Sequence, residues 1–433
     1  MRRELNVNIF AIAMILLLSY FEIGVIRSVF FPSFIIQIGA LLISFMIFLL
    51  NAKEIKVTTY EFMWLLAITT LVVFRNRYLA IGETDNNILY YYLLCAIIIF
   101  TRKQTTWIHY FIEFIFCVSL VHAVVTIVFS FNKGLYISFM QIFMSGDLLK
   151  SNLKHLNSGA ISGLFPNYGA NAGMLSIGTG IAIVRLMFEK KENLTKNVIH
   201  VAILLTGLLF TSKRSPVIMM IIALVFIYLF IEKRDSMKKI FRIVLIGSIL
   251  FLLFTFVAPF IPQLELLSNR LMDTDDWSTL GGRTELYELA FSMISQNPLV
   301  GNGWNSYKLM AANTIGRKYP PQFARMQTHN IYLQMMSEVG IIGTIWIICL
   351  FVIPIKNGLY FCRLYGLDTI KTNIGKEKTV GLISSIFIIV FFLLYGFTGN
   401  PLYDAYIYFL AFLSCASIQG IVNTATIKVH DNN

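Results

Sequence analysis

Twelve apolar runs constrain this chain more than any other feature. They fall at about 7–23, 29–50, 60–74, 87–100, 107–131, 169–188, 197–211, 216–231, 241–260, 330–353, 380–397 and 403–424. A membrane-spanning helix needs about 20 apolar residues, and most of these runs come close to that length. Four are short, and flanking polar residues must complete them. Composition agrees, because only 13% of the residues are charged and 57% are apolar, whereas soluble domains carry roughly 25% charge. A soluble globular enzyme, a disordered chain and a secreted disulfide scaffold are excluded. None of the five cysteines forms a CxxC pair, so they read as small core residues.

The fold expected is an all-α polytopic integral membrane protein with about 12 transmembrane helices. Residues 1–260 hold the first nine spans, 261–328 form one large outward-facing loop carrying short amphipathic helices, and 329–433 hold the last three spans and a tail. Orientation follows from basic residues, which collect on the cytoplasmic side. With the N-terminus inside, 21 of the 35 Lys and Arg lie in cytoplasmic segments. Six of the remainder fall in the long loop, and long loops cross largely regardless of charge. Both termini are therefore placed in the cytoplasm. The net charge of +12 reflects these loops and implies no nucleic-acid partner.

The long loop and its neighbours hold the residues suited to chemistry. Leu286, Leu289, Ala290, Met293 and Ile294 recur at helical spacing after Gly282-Arg283, which predicts an amphipathic helix with Arg283 at its start. That helix should stop before Asn297-Pro298, and Gly301-Asn302-Gly303-Trp304 should turn. A cation at a helix start opposes the dipole, so Arg283 calls for an anionic partner, either a substrate or a nearby carboxylate. His329-Asn330 stands where the chain re-enters the membrane, followed by Gly340 and Gly343, glycines that would let another helix pack closely. Lys213-Arg214 lies between two spans on the outer side, where the charge rule disfavours it. Arginines suit a bidentate grip on a phosphate or diphosphate, and a neutral His suits proton removal from a sugar hydroxyl. No metal-ligand cluster, P-loop or GxGxxG occurs in the sequence. The energy for bond formation would therefore arrive in the substrate, for example in a lipid diphosphate. A flippase or other transporter would place its charges near mid-membrane, and here the conspicuous ones crowd the outer face.

These stretches resemble the O-antigen ligase and O-antigen polymerase superfamily of bacterial envelope glycosyltransferases. The resemblance rests on Gly282-Arg283 with Asn297-Pro298-Leu299-Val300-Gly301-Asn302-Gly303, on His329-Asn330 with Glu338, Gly340, Gly343 and Thr344, and on Ser212-Lys213-Arg214. Gly163-x-Phe165-x-Asn167 is a weaker fourth stretch. It implies a metal- and nucleotide-independent enzyme, with no cofactor, acting on undecaprenyl-diphosphate-linked glycans at the outer face of the bacterial inner membrane. Arg214 and Arg283 would hold the diphosphate, and His329 would activate the acceptor hydroxyl. Asn330, Lys213, Gly282 and Asn167 would complete substrate binding. The expected activity is that of an O-antigen or capsular polysaccharide polymerase, with the ligase that transfers glycan to lipid A-core as the alternative. Membrane lipid is an implied partner, and the resemblance also admits a chain-length regulator.

Overall fold

The computed structural model describes residues 57–74, 105–144, 146–157, 159–188, 193–231, 255–260, 283–311 and 327–431, with 238, 265 and 268 standing alone. Among the described residues the secondary structure is helical, without a strand. The helices are α1 (Thr59–Phe74), α2 (Trp107–Phe131), α3 (Lys133–Phe143), α4 (Gly146–Asn157), α5 (Tyr168–Phe188), α6 (Leu194–Phe210), α7 (Arg214–Phe230), α8 (Thr284–Gln296), α9 (Ile331–Tyr365), α10 (Leu367–Ile374), α11 (Lys376–Tyr395) and α12 (Ala405–Asp431).

Five of these helices, α2, α5, α9, α11 and the 407–425 part of α12, are long and apolar enough to cross a membrane. The helices α6 and α7 are apolar but shorter, at 17 residues each. The described residues are thus those of an all-helical chain with several candidate spans, as in a polytopic membrane protein. The apolar runs at 7–23, 29–50 and 87–100 lie outside the described residues, as does the 241–254 part of the run at 241–260. The other eight runs coincide with described helices.

The core is organised around α11. From Thr379 to Phe392 every residue of this helix is buried, as expected of a helix that is apolar on all sides. Small residues bring the surrounding helices close. A Cβ on Gly178 of α5 would lie 2.2 Å from Ser119 Cβ of α2, and one on Gly207 of α6 would lie 2.8 Å from Ala123 Cα of α2. A Cβ on Gly180 would strike the Phe387 ring at 1.9 Å, so α5 and α11 touch through a glycine. Trp64 of α1 packs edge-on to Phe351 of α9 at 5.2 Å.

The semi-polar segment between α2 and α5 folds into α3 and α4, which bury their own cluster of Tyr136, Met140, Met144 and Leu156. Its last residues launch α5. Gly163 adopts φ +57°, Phe165 stacks on His122 at 4.5 Å, and the Asn167 side chain accepts from Ala170 N at 2.7 Å. Asn167 is therefore the capping residue of α5.

Candidate functional site

Three non-glycine residues have left-handed backbone angles among the described residues: Ser212 (φ 52°), Asn305 (φ 66°) and His329 (φ 57°). Such angles cost an L-residue roughly 1–2 kcal/mol and concentrate at functional sites. All three belong to one end of the bundle.

His329 is held in this conformation by its neighbours. The Thr328 hydroxyl donates to Asn330 O at 2.6 Å and accepts from Asn330 N at 3.1 Å. Asn330 then caps α9, its side-chain oxygen accepting from Tyr332 N at 3.0 Å and Leu333 N at 3.2 Å. Next on the chain, Ile331 N donates to Gly396 O at 2.8 Å, which ties this turn to the end of α11. Asn330 thus uses its side-chain oxygen to start the helix that follows His329.

Two turns further along, α9 is broken. Gly340 has φ 70° and ψ 179° inside the helix, a combination open essentially to glycine alone. The segment after α8 fills the break. Ile341 N donates to Pro298 O at 2.9 Å, Asn302 N to Ser337 O at 3.1 Å, and Gly303 N to Glu338 O at 2.8 Å. The approach is so close that a Cβ on Gly340 would lie 2.2 Å from Leu299 O, and one on Gly301 would lie 2.4 Å from Glu338 O. The sequence suggests that Gly340 and Gly343 admit a neighbouring helix. Gly340 instead admits the backbone of the loop after α8, while a Cβ on Gly343 would meet Val339 of its own helix.

Glu338 sits behind this junction, fully buried. Its carboxylate accepts from the Tyr403 hydroxyl, from Asn305 N at 2.9 Å and from the Gln334 amide at 3.2 Å. Gln334 in turn accepts from the Asn400 amide at 2.9 Å. This buried network satisfies its members and locks α9, the 297–305 loop and the α11–α12 turn together.

Arg283 begins the helix that this loop anchors. The helix α8 ends at Gln296, as the Asn297-Pro298 signal predicts. It buries Leu286, Ala290 and Met293 against Tyr307 and Ala311, so its apolar stripe faces protein. The Arg283 side chain makes no cap bond, and among the described residues no carboxylate pairs with it. Across the site, the left-handed turn at Ser212 ends α6 and presents Lys213 before α7 starts at Arg214. The Lys213 ammonium lies 5.0 Å above the Tyr168 ring.

These cations converge on His329. Burial, then the charges of Arg283 and Lys213, lower its pKa from the usual 6.5 to about 4. The imidazole is therefore neutral at physiological pH. A carboxyl lies at the same end. Desolvation draws Asp404 up to about 7, with Lys308 opposing, and the charges of Asp404 and Arg283 both reach the Tyr395 hydroxyl.

Of the residues singled out in the sequence, His329, Arg283 and Lys213 come together. Asn330 and Asn167 serve as helix caps on the same side. Arg214 opens α7, and the cations acting on His329 are Arg283 and Lys213. Gly282 lies outside the described residues. Sequence reasoning missed Tyr168, Tyr395, Asp404 and the Gln334–Asn400–Tyr403 network. The signal available for the last group was a polar turn, Thr398-Gly399-Asn400, between two spans.

Residues 199–348 match the O-antigen ligase family. No curated protein matches the chain. The matched stretch runs from α6 into α9. It therefore contains Lys213, Arg214, Arg283, His329 and Asn330, together with the loop-into-helix junction at Gly340. The match supports the O-antigen ligase/polymerase superfamily. It leaves α1 to α5 and α10 to α12 outside the family segment.

Proposed function

We propose that this chain is a glycan polymerase of the bacterial inner membrane. It transfers a growing glycan from undecaprenyl diphosphate to a hydroxyl of the next lipid-linked repeat unit, at the face directed to the periplasm or exterior. The observation that carries this reading is His329, in a left-handed turn at φ 57°, with its imidazole kept neutral by burial and by the charges of Arg283 and Lys213. The O-antigen ligase match of 199–348 supports transfer of a lipid-linked glycan in general.

The chemistry divides between these groups. His329 accepts the proton of the acceptor hydroxyl as its oxygen attacks the anomeric carbon. The bond from that carbon to the diphosphate oxygen breaks, and undecaprenyl diphosphate leaves with the bonding electrons. Arg283 and Lys213 stabilise the negative charge of the leaving diphosphate, with Arg214 next to Lys213 as a third cation. The energy comes from the donor's own phosphoester bond, so no nucleotide or metal enters the scheme.

A base with a pKa near 4 is weak. Donor binding relieves the smaller part of this. Burial is the larger cause of the low value, and the diphosphate neutralises the charges of Arg283 and Lys213, so the imidazole becomes more basic when a leaving group is present. The enzyme is thereby disposed to activate an acceptor only beside a loaded donor.

The pH profile tests this assignment. Because the competent imidazole is neutral, kcat/KM should stay level from pH 7 to about 5 and fall as pH approaches about 4. Stability should decline over a related window. The unfolded His329 takes a proton near 6.5 and the folded one near 4, so folding free energy is lost as pH drops between those values. An inflection near 7 would mean that His329 is not the titrating group.

Lys213→Ala should lower kcat by about a hundredfold, the typical cost of one charge-stabilising donor. Arg214→Ala, assayed beside it, should cost no more. The reverse ranking would return the diphosphate contact to Arg214.

Reconstitution with a single substrate tests the function. Purified protein in lipid, given only an undecaprenyl-diphosphate-linked repeat unit, should yield a ladder of longer lipid-linked glycans. Product that forms only after lipid A-core is added would make the chain a ligase.

A further inference from the structure

A second polar cavity lies at the end of the bundle opposite the candidate site. The helix α5 runs from Tyr168, at that site, to Phe188 at the far end, and α6 returns from Leu194. Between them and the start of α2 is a cavity of about 390 Å³ lined by Glu113, Phe116, Arg185, Lys196, Asn197 and His200, among others.

Three independent features of this cavity favour an anion. Arg185 is buried, with 7% of its surface exposed. One of its terminal nitrogens meets Glu113 at 2.6 Å and its guanidinium lies 4.1 Å over the Phe116 ring. Its Nε is buried with no hydrogen-bond partner among the described residues, so Glu113 alone does not complete its bonding. Lys196 adds a second cation at the rim. Finally, α6 begins here without a side-chain cap from Asn193, itself a lining residue, and an uncapped helix start favours negative charge.

The surroundings indicate where the anion comes from. Cys117 lines the cavity and is exposed. From it, Val121, Val124 and Val128 continue along one stripe of α2, each about half exposed. A polar cavity at a helix end, opening onto an apolar lipid-facing stripe, has the shape of an amphiphile's two halves.

We propose that this cavity binds the phosphate headgroup of an anionic phospholipid, whose acyl chain lies along the Val121–Val124–Val128 stripe. The headgroup phosphate meets Arg185, Lys196 and the first turn of α6, and so links α2, α5 and α6. The site is separate from the transfer reaction and stands or falls independently of it. A lipid bound only by the folded chain stabilises it.

Native mass spectrometry of the full chain in detergent tests the proposal, with thermal unfolding beside it. Phosphatidylglycerol should remain bound and raise the unfolding temperature, while phosphatidylcholine should do neither. Lys196→Gln, at an exposed rim position, should weaken phosphatidylglycerol binding about fivefold, the effect of one basic residue near an anionic lipid. Equal retention of the two lipids would overturn the proposal, as would unchanged binding in Lys196→Gln. Stabilisation by inorganic phosphate equal to that by phosphatidylglycerol would overturn the lipid assignment, because the apolar stripe would then contribute nothing.

Discussion

Arg283→Ala is expected to reduce glycan transfer by about a thousandfold or more while leaving the protein folded. Removing a single preorganised charge-stabilising donor typically costs 10²–10³ in rate, and here the same change also removes a cation that acts on His329. Folding should be spared, because the Arg283 side chain makes no cap bond and α8 is held by Leu286, Ala290 and Met293. Arg283→Lys should recover only part of the activity, since a point charge lacks the fork that grips a diphosphate. His329 needs a finer pair of variants, because its backbone is strained at φ 57°. His329→Ala keeps the strain and loses the imidazole. His329→Gly loses both, so it should be at least as stable as the parent and still inactive. Radiolabelled chain extension together with thermal unfolding reads both quantities. An active His329→Gly protein would remove the imidazole from the mechanism and leave only a turn.

Much of the architecture was legible because bilayer thickness fixes the length of a span. The run at 107–131 coincides with α2 (Trp107–Phe131), and the run at 169–188 differs from α5 by one residue. The amphipathic helix after Arg283 and its stop before Asn297 were also readable, since both follow from local periodicity and from the backbone limits of proline. Contacts between distant segments were not. Nothing in the spacing of Gly340 and Gly343 distinguishes a glycine that admits a helix from one that admits a loop, because that depends on which backbone arrives. That Lys213 is a cation acting on His329 was equally hidden. A left-handed Ser212 rotates the following residues, and the sequence carries no signal for that angle at a serine. Asn167 and Asn330 enter as substrate-binding residues through the family resemblance, and their cap role, each side-chain oxygen accepting from the backbone of the helix it begins, is an addition that the motifs alone did not show.

Gly340→Ala is expected to be strongly destabilising. Alanine cannot readily adopt φ 70° with ψ 179°, a cost of about 1–3 kcal/mol from backbone strain alone. Its Cβ would also stand 2.2 Å from Leu299 O, so the 297–303 loop must leave the break in α9. Departure would forfeit the bonds from Ile341 N, Asn302 N and Gly303 N and uncover the buried Glu338 network. The combined penalty should be about 3 kcal/mol or more. Activity should fall with it, because the loop that is expelled also anchors α8, and α8 sets the position of Arg283. Gly343→Ala provides the control. Its Cβ would stand 2.9 Å from Val339 Cβ of its own helix, so relief takes a small local shift of α9 and leaves the 297–303 loop in place. Protease sensitivity within 297–303 and the unfolding temperature should both change in Gly340→Ala and change little in Gly343→Ala. Equal behaviour of the two variants would mean that the loop is not held by the break in α9, and that Arg283 is positioned by something else.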